Sequence, residues 1–272
     1  MVLKFTGSFT QQEAISEKAI EAAIAVMRHG RLHRYNVIHG ETAETVLLEQ
    51  EFAKSCGAKY CLAVASGGYA LTTALRASGI EKDDIVLTNA FTLAPVPGAI
   101  HGAGGRPVFV EITKDLVLDL DDLKQKIQST NAKFLMLSHM RGHLVDMDAL
   151  IEITNNAGIK VIEDCAHTMG ANWNGTPSGR SGVIGCFSTQ TFKHINSGEG
   201  GFLITDDVEV MAKATMLSGS YMLYESHLAG APVEAFENIR YDTPNCSGRM
   251  DNLRAAILRP QLADLPIQAE RW

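Results

Sequence analysis

Residues 60–79 read YCLAVASGGYALTTALRASG, and this stretch decides the fold class. Tyr60–Ala65 is apolar at almost every position and too short for a helix, so it reads as a strand covered on both faces. Ser66-Gly67-Gly68 turns the chain, and a helix from about Tyr69 to Ser78 follows, with Gly79 placed to end it. A strand, a small-residue turn and a helix in that order form the first half of a β-α unit, the building block of parallel sheets.

The same grammar repeats outward. Further short apolar runs lie at Ile85–Thr88, Pro107–Glu111, Phe134–Ser138, Lys160–Glu163, Ile184–Ser188 and Gly201–Thr205. Helical stretches fit between them; Asp146 is placed to cap Met147–Ala157 and Gly158 to close it. The expectation is an α/β protein, a three-layer α/β/α sandwich around a mainly parallel seven-stranded sheet. Before it come a helical opening from about Gln12 to Met27 and a polar loop around Gly30–Gly40. After it come a loop-rich stretch, Ser218 to Met250, and a helical segment, Asp251–Leu265, broken by Pro260. This gives an N-terminal helical arm (1–30), one large domain (31–250) and an exit helix (251–272). A helix that leads out of a domain and ends at Trp272 carries the expectation that more chain normally follows.

At 272 residues, 46% hydrophobic and 20% charged, the chain is long enough to bury a large core. Its net charge of −7 offers no basic stripe for a phosphate backbone, so nucleic acid is not an expected partner. The first residues lack the basic start and apolar stretch of a signal peptide, and no run approaches the roughly 18 apolar residues of a membrane span. The expectation is a cytoplasmic protein with no membrane partner. Cys56, Cys61, Cys165, Cys186 and Cys246 form no C-x-x-C pair and fit scattered reduced thiols.

Three segments could carry chemistry, and each also has an ordinary structural explanation. Ser66-Gly67-Gly68 opens a helix, where free N–H groups and the helix dipole suit a phosphate, although small residues also serve close packing there. Asp164, in Glu163-Asp164-Cys165-Ala166-His167, stands at the carboxyl end of the fifth strand, where open α/β sheets collect ligand groups. Its carboxylate could hold a pyridine nitrogen protonated and His167 could touch the ring, or Asp164 could cap a helix and His167 fill the core. Lys193 follows the strand ending at Ser188 and precedes Ser197-Gly198-Glu199-Gly200-Gly201. An apolar setting would lower its pKa and free the amine for attack on an aldehyde; the alternative is a surface lysine beside a flexible loop. His139 and His143, on either side of Gly142, suit a loop rather than a zinc-binding helix, so no metal is expected. Asp83-Asp84 and Asp119 to Asp122 read as turns or caps.

Together these segments resemble the DegT/StrS family of sugar aminotransferases, fold-type I enzymes that use pyridoxal 5'-phosphate. The resemblance runs from about Gly40 to Leu262. It includes the Ser66 to Leu71 turn, Asn89-Ala90-Phe91-Thr92, Gly104-Gly105-Arg106-Pro107-Val108-Phe109-Val110, Asp146-Met147-Asp148, Ile162 to His167, Cys186-Phe187-Ser188, Lys193 and Gly198-Glu199-Gly200-Gly201. It implies that Lys193 is the Schiff-base lysine and proton shuttle, and that Asp164 pairs with the pyridinium. It further implies that Phe91 stacks on the ring, that His167 sits beside the ring oxygen, and that Ser66, Gly67, Gly68 and Ser188 hold the phosphate. Asn245 resembles an asparagine that reaches the phosphate of a neighbouring subunit, which implies a homodimer with shared sites. Gly68 stands where the family has threonine, so Tyr69 or Thr72 would supply the missing hydroxyl. The Asn245-to-Arg249 spacing is stretched, and the family's small C-terminal domain would begin after about Leu262. The implied reaction moves an amino group from glutamate or glutamine to a keto-sugar, nucleotide-linked, or a cyclitol. Sugar dehydration is the alternative within the family, whose dehydratases replace the lysine with histidine; a non-catalytic regulator or truncated cofactor-fold protein is the alternative outside it. Ser218–Tyr241 is the expected specificity loop.

Overall fold

The computed structural model describes residues 13–220 and 222–271. Its helices are α1 (Glu17–His29), α2 (Glu44–Cys56), α3 (Gly67–Ala77), α4 (Pro95–Gly102), α5 (Leu120–Ser129), α6 (Met147–Asn156), α7 (Val208–Ser218), α8 (Asn252–Leu258) and α9 (Leu265–Arg271). The strands are β1 (Tyr60–Val64), β2 (Ile85–Asn89), β3 (Arg106–Val110), β4 (Phe134–Ser138), β5 (Lys160–Asp164), β6 (Asn172–Trp173), β7 (Thr176–Pro177), β8 (Ile184–Ser188) and β9 (Gly201–Thr205). All the runs expected as strands are strands, within a residue or so at their ends.

They form one seven-stranded sheet in the order β1-β9-β8-β5-β4-β2-β3. Only β9 runs against the rest, pairing antiparallel with both β1 and β8. The link from β8 contains no crossover helix, and a chain that turns back without one must return antiparallel. The β6–β7 hairpin was not read in the sequence; strands this short lack enough alternation to be seen.

Helix boundaries follow cap chemistry. Ser16 Oγ accepts from Ala19 N, and Gly30 closes α1 at φ 72°. The opening helix therefore starts later than read, and Gln12 lies outside the described residues. Asp146 caps α6 through Ala149 N at 3.0 Å, as expected, and Asp119 caps α5. The helix expected from Tyr69 begins at Gly67, because Ser66 Oγ accepts from Tyr69 N at 3.1 Å and makes Ser66 the cap.

Burial divides between the two sheet faces. Leu62, Val64, Met136, Ile162 and Leu203 pack under α3, α4 and α7. On the other face Phe52 stacks on Phe202 at 4.2 Å and meets Phe187 edge-on at 5.2 Å. Ala255, Leu258 and Leu265 join that second cluster, so the segment after 250 is part of the same packed body. Beside it, Arg34 makes two 2.8 Å bonds to Glu49, which also accepts from Ala63 N at 2.7 Å. His227 takes a contact from Arg34 at 3.3 Å and from Tyr35 at 3.1 Å. This buried knot ties the 30–40 loop, α2, β1 and the 218–250 stretch together. None of the described helices is long and apolar enough to cross a membrane.

Candidate active site

The parallel register of the middle strands creates the site. Ser138 at the end of β4 is aligned with Asp164 at the end of β5, and Asp164 with Cys186 on β8. Their carboxyl ends therefore open on one side of the sheet, next to the start of α3. A cavity of about 240 Å³ lies there, lined by Gly67, Gly68, Ser138, Asp164, Ala166, His167, Ser188, Gln190 and Lys193, with an apolar wall of Leu71, Leu93, Pro95, Val96 and Met140.

Asp164 is half-buried and held from two sides. Its Oδ2 accepts from Ser138 Oγ at 2.9 Å and its Oδ1 from Ala166 N at 3.1 Å. These bonds orient the carboxylate and leave lone pairs facing the cavity. Burial pushes its pKa up, opposed by the Ala166 N–H, Ser138, His139 and the Lys193 charge. Asp164 caps no helix, since none follows it. The next carboxylate, Glu163, points the other way, as alternation in a strand requires. It is buried against His139 Nε2 at 3.0 Å and accepts from the N–H groups of Gly179, Ser181 and Gly182 at 2.7–3.0 Å. His139, Glu163 and Cys165 thus lie close together, but the Glu163 oxygens are already occupied.

Lys193, half-buried, lines the same cavity. Desolvation lowers its pKa; Asp164 pulls it back up and Arg141 pushes it further down. His167 receives the Arg141 backbone N–H on Nδ1 at 3.2 Å, so a neutral ring carries its proton on Nε2. Burial, Lys193, Arg141 and His194 drop its pKa to about 4, which keeps it neutral at physiological pH.

At the third corner, α3 begins. Gly67 and Gly68 are at its first turn, and their N–H groups meet no acceptor among the described residues. Gly67 is demanded by packing: a Cβ there would lie 2.9 Å from Ser188 Cβ and 3.3 Å from Phe187 O. Ser188 Oγ accepts from Gln190 N at 3.3 Å, which leaves its proton to donate.

Several expected residues stand elsewhere. Phe91 does not line the cavity; its backbone oxygen accepts from Asn89 Nδ2 at 2.9 Å, and Leu93 and Pro95 form the wall instead. Neither hydroxyl offered in place of threonine is available: Tyr69 donates to Leu217 O at 2.9 Å and Thr72 to Gly68 O at 3.1 Å. Asn245 is exposed and folds back on Ser247 N at 3.1 Å. Within Ser218–Tyr241, Tyr224 and Phe236 stack at 4.7 Å under α7, and no described residue of that stretch reaches the cavity. Conversely, Ser138, Gln190 and Arg141 escaped the sequence reading. Only the strand-end position of Ser138, level with Asp164, could have signalled it.

The sheet order, the reversed β9 and the lysine beyond β8 define the fold of fold-type I pyridoxal-phosphate enzymes. Solved structures agree: DesV of S. venezuelae, in complex with a ketimine intermediate, matches with a TM-score of 0.77 and 29% identity over 91% of this chain and 62% of its own. The chain belongs to the DegT/DnrJ/EryC1/StrS aminotransferase family, whose model matches residues 13–271. It is 32% identical over 231 residues to dTDP-3-amino-3,4,6-trideoxy-alpha-D-glucose transaminase of Micromonospora megalomicea subsp. nigra, covering 85% of this chain and 58% of that one. It is 29% identical over 257 residues to L-glutamine:scyllo-inosose aminotransferase of Streptomyces griseus, covering 94% and 60%. The chain thus spans less than two thirds of the length of these relatives.

Proposed function

We propose that this chain is the cofactor-binding part of an aminotransferase that uses pyridoxal 5'-phosphate to move an amino group from glutamate or glutamine to the keto group of a nucleotide-linked sugar or a cyclitol. The observation that carries the reading is that Lys193 and Asp164 line one cavity whose remaining corner is the open first turn of α3 with Ser188. The donor set fits the cofactor: N–H groups and a hydroxyl for the phosphate, an oriented carboxylate for the ring nitrogen, and an amine of lowered basicity for the aldehyde. When bound, the pyridine ring supplies an electron sink.

The residues divide the work. Gly67, Gly68 and Ser188 hold the phosphate, while Ser66 serves by capping the helix that presents it. Asp164 keeps the ring nitrogen protonated, steadied by Ser138. His167, a lining residue with its proton on Nε2, would donate to the cofactor's ring oxygen. Lys193 Nζ would hold the cofactor aldehyde and serve as the group that moves a proton at the substrate carbon, a task its lowered pKa would ease. Leu93, Pro95 and Val96 exclude water from one side. Asn245 is the proposed contact to a neighbouring copy in a cytoplasmic homodimer with shared sites. We assign 31–250 to the cofactor-binding unit, 1–30 to an arm, and 251–272 to the helix leading toward a small domain.

Purified protein mixed with pyridoxal phosphate is expected to absorb in the visible range, and Lys193→Ala to lose that band. Adding L-glutamine or L-glutamate should then shift it and leave the pyridoxamine form. A wild type that ignores the cofactor overturns the reading. A wild type that binds the cofactor but never yields the pyridoxamine form favours the dehydratase alternative, which the presence of lysine at 193 argues against.

A further inference from the structure

Among the described residues, no carboxylate pairs with one cation beside the proposed reaction centre. Arg141 lies in the single turn Met140–Gly142 after β4, with its backbone in the left-handed region at φ 57°, ψ 22°. A side chain rarely adopts that conformation without something to hold it. Here the Arg141 N–H is anchored on His167 Nδ1, so the residue is fixed one ring away from the cavity. Its side chain is exposed, and no carboxylate pairs with it among the described residues.

Arg141 lines a compartment of about 710 Å³ together with His167, Thr168, His194 and Glu270. His167 is the shared wall between this compartment and the cavity that holds Lys193 and Asp164. Among the described residues, Glu270 is the sole carboxylate of the lining, and it makes no ion pair with Arg141. The guanidinium depresses the basicity of both Lys193 and His167, so its charge is felt at the amine. Gly67, Gly68 and Ser188 are not part of this compartment, so a phosphate held by them would not neutralise Arg141.

We propose that Arg141 holds the α-carboxylate of the amino-acid donor and thereby selects an α-amino acid over a simple amine. The proposal rests on the aminotransferase reading above. A guanidinium presents paired N–H donors that match a carboxylate. A donor nitrogen must come to the point that Lys193 Nζ reaches, and its α-carboxylate is one carbon away from it. The diphosphate of a nucleotide-linked sugar is separated from the reacting carbon by the sugar ring and calls for a more distant cation.

The test is a titration of the cofactor-loaded protein, followed by visible absorbance, with L-glutamine, L-glutamate and 4-aminobutyrate, which lacks the α-carboxylate. Arg141→Asn suits the left-handed backbone, and Arg141→Lys keeps the charge without the fork. Arg141→Asn is expected to weaken L-glutamine and L-glutamate alike by about tenfold to a hundredfold, with 4-aminobutyrate unchanged. Arg141→Lys should recover part of the loss, while the thermal midpoint and cofactor affinity stay at wild-type values in both. Unchanged affinity for L-glutamine overturns the proposal, as does a loss confined to L-glutamate, which would place the side-chain carboxylate on Arg141. An equal loss for 4-aminobutyrate also overturns it, because general damage to the site then explains the result. A wild type that binds cofactor yet responds to no donor removes the aminotransferase reading and this inference together; a responsive wild type with an insensitive variant removes only the role of Arg141.

Discussion

Gly67 and Gly68 are neighbours in sequence, yet the structure demands opposite outcomes when each becomes alanine. At Gly67 the new Cβ would sit 2.9 Å from Ser188 Cβ and 3.3 Å from both Phe187 O and Ser188 Cα. The first distance is too short for any carbon pair, so the end of β8 must move. Overpacking of this kind costs about 1–3 kcal/mol, and the gain from replacing a helical glycine returns less than about 1 kcal/mol. The net loss of about 1–2 kcal/mol corresponds to a fall of about 2–8 °C in thermal midpoint for a chain of this size. Because the displaced residue is Ser188, the proposed phosphate donor, cofactor affinity should fall by about tenfold or more. At Gly68 the Cβ would meet only Pro95 Cβ at 3.8 Å, an ordinary contact. Gly68→Ala should therefore leave the midpoint unchanged or raise it slightly. Thermal unfolding of the cofactor-free variants and a titration with pyridoxal phosphate measure both quantities. A Gly67→Ala protein with wild-type midpoint and affinity, or a Gly68→Ala protein as damaged as Gly67→Ala, would refute the packing argument.

Glu49→Gln should cost about 3–5 kcal/mol in denaturant unfolding, because it leaves the buried Arg34 charge uncompensated; the double replacement Arg34→Met with Glu49→Leu should cost less than the sum of the single changes. His167, with its pKa lowered to about 4 from 6.5, is neutral in the folded protein and protonates first in the unfolded chain. Its contribution is thus intact above about pH 6.5 and lost as pH falls toward about 4. His167→Asn should flatten the pH dependence of the midpoint in that window, and a ring-proton NMR titration showing a midpoint near 6.5 would contradict the assignment. Ser138→Ala should leave the fold intact but lower cofactor affinity several-fold, since Asp164 loses its 2.9 Å support; an unchanged affinity would mean that Ala166 N alone orients the carboxylate.

What the sequence determined is what is local. Apolar runs of strand length, the Ser66 and Asp146 caps and the glycines at helix ends act through neighbouring residues. The strands were therefore legible, and so was the order in which Ser66, Asp164, Ser188 and Lys193 occur. Tertiary structure decided the rest. Strand order, the reversal of β9 and the level of Ser138 with Asp164 depend on pairing between segments far apart in the chain. Packing committed the hydroxyls of Tyr69 and Thr72 elsewhere, left Phe91 off the cavity wall, and brought Arg141 to His167. The Arg34–Glu49–His227 knot joins positions separated by up to 193 residues. A buried charge is stable only where distant partners meet it, and that meeting is a property of the folded chain rather than of any stretch within it.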